Sequence, residues 1–309
     1  MQYTMNAIAI KFHKATTFIG FLIVSTLAQA NPVACFNTNM GNFCIELFEA
    51  HTPITTANFL SYIESEAYTN GIFHRSIPDF VIQGGGFKIV TNSTGNSIAT
   101  VNTFAPISNE FRISNTRGTV AMAKLPDNPN SATSQWFVNM KNNSANLDKQ
   151  NGGFTVFGRV IFNGMDTFDA IEQLSVFNLG SSLPEIPLVD YNGIELLTDN
   201  LVRIGQVTVT DTAGVFDENT LSFAVDIGSN TILDVKMQLI ETNPSYVFEV
   251  DLSNIQTLTT SPTNVATFST ASGELQIPSV MLNATTVVRN VKMRLIDPEI
   301  YQFALVSYE

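Results

Sequence analysis

At 309 residues the chain is long enough for two hydrophobic cores, and a 44 % hydrophobic content excludes a disordered protein. The formal net charge of −12 excludes a surface built to neutralise phosphates, so nucleic acid is not an expected partner. An acidic, self-repelling surface that stays soluble explains that charge without an acid-binding function.

The chain opens with Lys11, His13 and Lys14, an apolar run from Ala15 to Leu27, and Ala28-Gln29-Ala30. That order is the pattern of a secretory leader with a small-x-small cleavage site, leaving Asn31 first and a net charge of −14. A membrane anchor is the alternative, but the apolar run is short of the roughly 20 residues that span a bilayer, so no stable membrane insertion is expected after processing.

Cys35 and Cys44 flank "FNTNMGNF" in a stretch that alternates like a hairpin, with Phe43, Ile45 and Leu47 on one face. If Asn39 and Met40 form a two-residue hairpin turn, the two cysteines face each other across the ladder. A disulfide is expected in an exported chain, the alternative being two buried thiols. Thr52-Pro53 then starts a helix running to about Glu66, with Ile54, Ala57, Leu60 and Ile63 as its apolar positions.

Beyond this helix lies "FHRSIPDFVIQGGG", Phe73 to Gly86, where an arginine and a glutamine stand among apolar neighbours. Short strand-like runs follow: "GTVAMA", "SQWFVNM" and "FTVFGRVIF". A second helix is patterned by Met165, Phe168, Ile171 and Leu174, and "LVRIGQVTV", Leu201 to Val209, reads as the last strand of a first domain. Residues 212–309 change character, with no cysteine, histidine or tryptophan and alternation throughout. "VKMQLIE", Val235 to Glu241, returns as "VKMRLID", Val291 to Asp297, and each copy precedes a proline and a Tyr-x-Phe. Two copies imply a duplicated β module with no recognisable site and an unknown partner; the acids Asp211 and Asp217 lack the spacing of a calcium loop.

The residue inventory excludes most chemistry at Phe73–Gly86. Only His51 and His74 remain after processing, no serine stands in a nucleophile elbow, and zinc ligands are wanting, so neither metal nor cofactor is implied. The triple glycine is not followed by the Lys-Ser or Lys-Thr of a phosphate loop. What is left is a reaction served by one fixed positive donor, an amide and an apolar surface.

"FHRSIPDFVIQGGGF", followed in order by "NEF" (Asn109 to Phe111), "NTRGTVAMAK" (Asn115 to Lys124), "SATSQWFVNM" (Ser131 to Met140), "NLD" (Asn146 to Asp148) and "FTVFGRVIFNGMD" (Phe154 to Asp166), resembles the cyclophilin-type peptidyl-prolyl isomerases, in particular their exported bacterial branch. The resemblance covers about Pro32 to Thr210. It implies a mainly β domain over residues 31–211, a closed eight-stranded antiparallel barrel capped by two helices, to which the residue patterns add the leader 1–30 before it and the small all-β module 212–309 after it. It implies a peptidyl-prolyl cis-trans isomerase acting on proline-containing polypeptides, in the periplasm or secreted, of a Gram-negative-type bacterium. By family position Arg75, Phe80 and Gln83 carry catalysis. Val81, Phe137 and Leu147 wall the proline pocket with Phe80, and Gln135 is a second polar clamp beside Gln83. Ala123 and Lys124 offer backbone contacts, while Asn146 stands where many members carry an indole and Phe154 where many carry a histidine. His74 falls to structure. A non-catalytic peptide-binding or envelope-attachment protein using the same groove is the competing reading.

Overall fold

The computed structural model describes residues 32–93, 95–229, 231–258 and 264–309, so the leader lies outside the described residues. In chain order the N-terminal part comprises β1 (Val33–Thr38), β2 (Gly41–Leu47), α1 (Pro53–Glu64), β3 (Arg75–Ile77), β4 (Val81–Gly84), β5 (Phe87–Asn92), β6 (Gly95–Thr100), β7 (Thr119–Met122) and β8 (Trp136–Asn139). It continues with α2 (Ser144–Leu147), β9 (Val156–Ile161), α3 (Met165–Glu172), β10 (Ser175–Phe177), β11 (Ile186–Leu188) and β12 (Ile204–Thr210). Eight of these strands form one antiparallel sheet in the order β12-β1-β2-β9-β7-β8-β4-β3.

The sheet curls but does not close as the expected eight-stranded barrel, because no ladder joins β12 to β3. The seam is loop backbone: Ile72 bridges Arg203, Phe73 N donates to Val202 O and Ile204 N to Gly71 O. The reason lies at the free edge of β3. Glu185 runs parallel to Arg75 there, and its carbonyl accepts from Ser76 N, so an inserted segment occupies the edge that a closing strand would need.

The β1–β2 hairpin has the expected register, with Thr38 opposite Gly41 across a two-residue turn and Cys35 opposite Cys44. The two cysteines are disulfide-bonded, their Cα atoms 4.0 Å apart. Inside the curl, Trp136 packs among Phe36, Phe43, Phe59 and Phe73, all wholly buried or nearly so.

Helix α1 starts at Pro53 as expected, but its buried face is Thr55, Thr56, Phe59 and Tyr62, while Ile54 and Ala57 are exposed. At about 100° per residue a strict three-residue repeat drifts by about 60° per step, so Ile54 and Ile63 cannot share a face. The aromatic pair takes the core, and Glu110 satisfies the polar first turn by accepting from Thr55 N at 2.8 Å and Thr55 Oγ1 at 2.7 Å. Helix α3 buries Phe168 and Ile171 as the pattern demands. A third, short helix, α2, was not in the expected pair; it is a single turn set by local hydrogen bonds rather than by an apolar period.

The C-terminal strands are β13 (Gly214–Asp217), β14 (Thr220–Asp226), β15 (Ile232–Glu241), β16 (Val247–Val250), β17 (Gln256–Thr257), β18 (Ala266–Ser269), β19 (Glu274–Asn283), β20 (Thr286–Asp297) and β21 (Gln302–Ser307). Because β14 pairs both β18 and β15, the ladder runs β14-β18-β19-β20-β21-β16-β15 and returns to β14, a closed seven-stranded barrel. The sequence repeat lies in β15 and β20. Leu239 opposes Phe248 and Leu295 opposes Phe303, and β16 meets β21 with Phe248 directly opposite Phe303. Two three-stranded meanders thus join about a local two-fold between those rings.

The chain passes from β12 to β13 through Thr212 and Ala213, both fully buried, so the connection is packed rather than a solvated tether. Val33, Cys44 and Ile161 of the first sheet form an apolar cluster with Val215 and Met281 of the barrel. Beside it, Arg159 Nε donates to Glu46 at 2.7 Å and Nη1 to Asp217 at 3.2 Å, while Ser222 Oγ donates to the second Glu46 oxygen at 2.9 Å. His51 Nε2 and Asp234 Oδ2, 3.0 Å apart, add a further contact between the two parts.

Candidate functional site

Strand register assembles the site. Arg75 on β3 faces Gln83 on β4, Gln83 faces Phe137 on β8, and Phe137 faces Ala121 on β7. Directly opposed residues of an antiparallel sheet project to the same face, so these four side chains form one row across four strands. The alternate positions Ile82, Trp136, Val138, Val120 and Met122 turn inward to the aromatic core. The row is therefore on the outer face of the curl.

A separate apolar cluster grows from that row. Val81, Phe137, Leu147, Ala121 and Val156 are buried in it, with Phe80, Ala123, Phe154, Phe48 and Ile113 packed against them. All the sequence-selected apolar residues meet here. Phe137 and Phe154 are 5.8 Å apart, edge to face. Phe48, Ile113 and Ala121 are members that the sequence reading missed; the alternation of "GTVAMA" marks Ala121 as outward, whereas Phe48 and Ile113 sit in irregular segments with no period.

The polar members are held in place. Gln83 Nε2 donates to Gln135 Oε1 at 2.7 Å, which joins both amides across β4 and the start of β8. Gly86 leaves room for this pair, since a Cβ there would lie 2.9 Å from Gln135 Cδ. Arg75 Nε donates to Glu185 Oε2 at 2.7 Å, and among the described residues its two Nη nitrogens make no hydrogen bond. The Arg75 side chain is one-third exposed.

Lys124 turns its side chain away from the row. Its Nζ donates to Asn151 O at 2.8 Å and Gly153 O at 2.7 Å and stands 4.7 Å above the Phe154 ring, so the ammonium staples the 150–153 loop. Burial pushes its pKa down to about 8. The backbone of Ala123 is fixed by its N–H to Gln135 O at 2.9 Å. Asn146 is exposed on α2. That turn is docked by Asn143, whose Nδ2 donates to Phe80 O and Asn139 Oδ1, both at 2.8 Å, and by Asp148, which accepts from Asn115.

His74 lies just before β3, 5 % exposed, packed beside Gly86 and Gln135 with its ring 5.0 Å from that of Phe87. Burial is the main cause that drives its pKa down to about 4, and the neighbouring Arg75 charge adds to it, against the nearby Gln135 side chain and Ile72 backbone, which favour the protonated ring. It is a neutral structural residue at pH 7. No base, nucleophile or metal ligand cluster stands in the row; among the described residues no group of three or more His, Cys, Asp or Glu could hold a metal ion.

Comparison with known proteins gives a consistent result. The profile of the family described as cyclophilin type peptidyl-prolyl cis-trans isomerase/CLD matches residues 33–192. A peptidyl-prolyl cis-trans isomerase of Acinetobacter baylyi is 43 % identical over 175 residues, which are 55 % of this chain and 88 % of that protein. Isomerase A of Dickeya dadantii is 37 % identical, covering 52 % of this chain and 83 % of its own length, and isomerase B of Escherichia coli is 38 % identical, covering 47 % and 87 %. A crystal structure of a Cryptosporidium parvum cyclophilin type isomerase in the presence of the dipeptide Ala-Pro aligns with a TM-score of 0.42 at 24 % identity, over 58 % of this chain and 99 % of that one.

Proposed function

The chain belongs to the cyclophilin-type peptidyl-prolyl cis-trans isomerases, and from that premise we propose that the Arg75–Gln83–Phe137 row is its catalytic groove. The reaction has a barrier of about 18 to 20 kcal/mol because the Xaa-Pro amide loses resonance as it twists. In the twisted state the proline nitrogen becomes pyramidal and gains a lone pair. A guanidinium that donates to that nitrogen, or to the adjoining carbonyl, holds the twisted amide more tightly than either planar isomer.

The Nη groups of Arg75 are the donors in this reading, and arginine suits the task because it does not deprotonate. One charge-assisted hydrogen bond supplies about 1.5 to 3 kcal/mol, whereas a thousandfold acceleration needs about 4 kcal/mol. The remainder falls to desolvation and positioning. Phe80, Val81, Phe137 and Leu147 take the proline ring, the Gln83–Gln135 pair clamps the peptide backbone, and the fixed backbone at Ala123–Lys124 meets the residue before proline. Asn146 and Phe154 border the groove. No proton moves, in keeping with a row that holds no titrating group near neutrality.

The observation that carries this assignment is the strand register that places Arg75, Gln83 and Phe137 side by side on one outward face. Arg75→Ala is expected to lower kcat/KM on a proline tetrapeptide at least tenfold with the fold intact, measured by NMR exchange or a protease-coupled assay. Equal rates would remove the arginine from the mechanism, and an inactive wild type that still binds the peptide would leave a binding-only groove.

We read residues 1–30 as a leader and the enzyme as an exported isomerase for proline-containing chains. The Cys35–Cys44 bond supports an oxidising compartment. Protein recovered from the periplasm should begin at Asn31, and recovery only from cytoplasm with Met1 in place would refute export.

A further inference from the structure

We propose that Glu185 is a positioning residue for isomerisation, holding the Arg75 guanidinium so that both Nη groups point into the groove. The inference rests on the reading of Arg75 as the donor. The bond from Nε to Glu185 Oε2 is 2.7 Å, and a guanidinium is a rigid plane, so one bond at Nε fixes the direction of both terminal nitrogens. An unrestrained arginine has several rotatable bonds and pays their entropy when it meets the twisted amide. A partner already in place removes that cost from the transition state.

The backbone that carries this carboxylate is itself anchored. Glu185 O accepts from Ser76 N at 2.8 Å, and the residue bridges Arg75 in parallel, so its backbone is tied to the same strand whose side chain it directs. On either side Leu183 and Ile186 are buried in one apolar cluster, 9 % and 0 % exposed, and Pro184 and Pro187 restrict the backbone. This segment is also the reason the sheet does not close. Both partners of the ion pair are about one-third or more exposed, at 33 % and 40 %, so a pair of this kind contributes little to stability and its worth is directional.

The test is a double-mutant cycle on the full chain, with kcat and KM resolved separately by NMR exchange and thermal stability followed in parallel. Glu185→Ala is expected to lower kcat by about five- to tenfold with KM changed less than twofold and Tm shifted by no more than a few degrees. In an Arg75→Ala background the same substitution should change the rate by less than twofold, because nothing is left to position. If Arg75→Ala is slow but Glu185→Ala turns over like wild type, the positioning role falls alone. A loss that persists undiminished without Arg75 would likewise overturn it, as a structural effect. If Arg75→Ala itself keeps the wild-type rate, it is the reading of the groove that fails.

Discussion

His74 and Arg75 are neighbours in sequence and opposite in chemistry, because one side chain is buried just before β3 and the other is partly exposed on it. Arg75 reaches water, whereas His74 is buried beside Gln135 and Phe87 and stays neutral, its pKa pushed down to about 4. Stability inherits a pH dependence from this difference. The unfolded histidine titrates near 6.5, above its folded value, so between about pH 4 and 6.5 the unfolded chain binds more protons. The contribution is therefore fully present above about pH 6.5 and is lost as pH falls through that window. Its size is of the order of 3 kcal/mol for a shift of this extent. Urea midpoints measured at pH 7.5 and 4.5 should separate more for wild type than for His74→Gln, whose amide does not titrate. Parallel behaviour of the two proteins would assign the acid sensitivity to other groups.

At the scale of elements, legibility in the sequence followed the range of the determining interaction. The β1–β2 register came from the chain alone because a two-residue turn leaves no freedom in pairing, and Cys35 meets Cys44 as the arithmetic demands. Arg75, Gln83 and Phe137 were named through the family resemblance, and their alignment in one row comes only from the long-range pairing of β3, β4 and β8. The buried face of α1 was misread because it is chosen by what it packs on: Thr55 is buried through Glu110, 55 residues away. Glu185 carried no signal at all, being 110 residues from Arg75 with no motif of its own. The repeat revealed duplication, but barrel closure depends on the parallel pairing of β14 with β18, which no local pattern specifies. The hairpin staple also allows an energetic test. Closing a loop of about ten residues contributes at most about 3 kcal/mol by the chain-entropy model, and less where the turn already favours the hairpin. Replacing both cysteines with alanine should therefore lower the stability by about 1 to 3 kcal/mol in urea titration while leaving turnover unchanged. Alanine is preferred to serine because Cys44 lies in the apolar cluster against Val215 and Met281. A twofold or greater loss of kcat/KM would mean that the hairpin reaches the groove.

At the scale of the whole molecule, the sheet order separates two surfaces. The barrel docks on β1, β2 and β9, through Val33, Cys44, Ile161, Glu46 and Arg159, with His51 beside them, whereas the row proposed as the groove runs over β3, β4 and β8 to Ala121 on β7. The N-terminal sheet also ends with β12 at Thr210, before the C-terminal strands begin with β13 at Gly214, so removing those strands takes none from it. What removal does take is cover. Val33 and Ile161 are buried under Val215 and Met281, and a wholly uncovered aliphatic side chain forfeits about 1.5 to 3 kcal/mol. Glu46 and Arg159 keep each other when Asp217 and Ser222 leave, and water then reaches both. A chain ending at Thr210 is thus expected to fold with a stability lower by about 2 kcal/mol or more, and to turn over short proline peptides within twofold of the full-length rate. The more damaging change is to keep the barrel and replace Arg159 with methionine. That strands the Glu46 and Asp217 carboxylates, 3 % and 8 % exposed, in the packed interface without their cation, and breaking a buried pair in this way costs about 3 to 5 kcal/mol. Guanidinium unfolding of the three proteins ranks them full length, truncated, then Arg159→Met. An insoluble or inactive truncation would show that the barrel completes the fold of the enzyme, and an Arg159→Met protein as stable as the full-length chain would show that the charges at this interface are already hydrated.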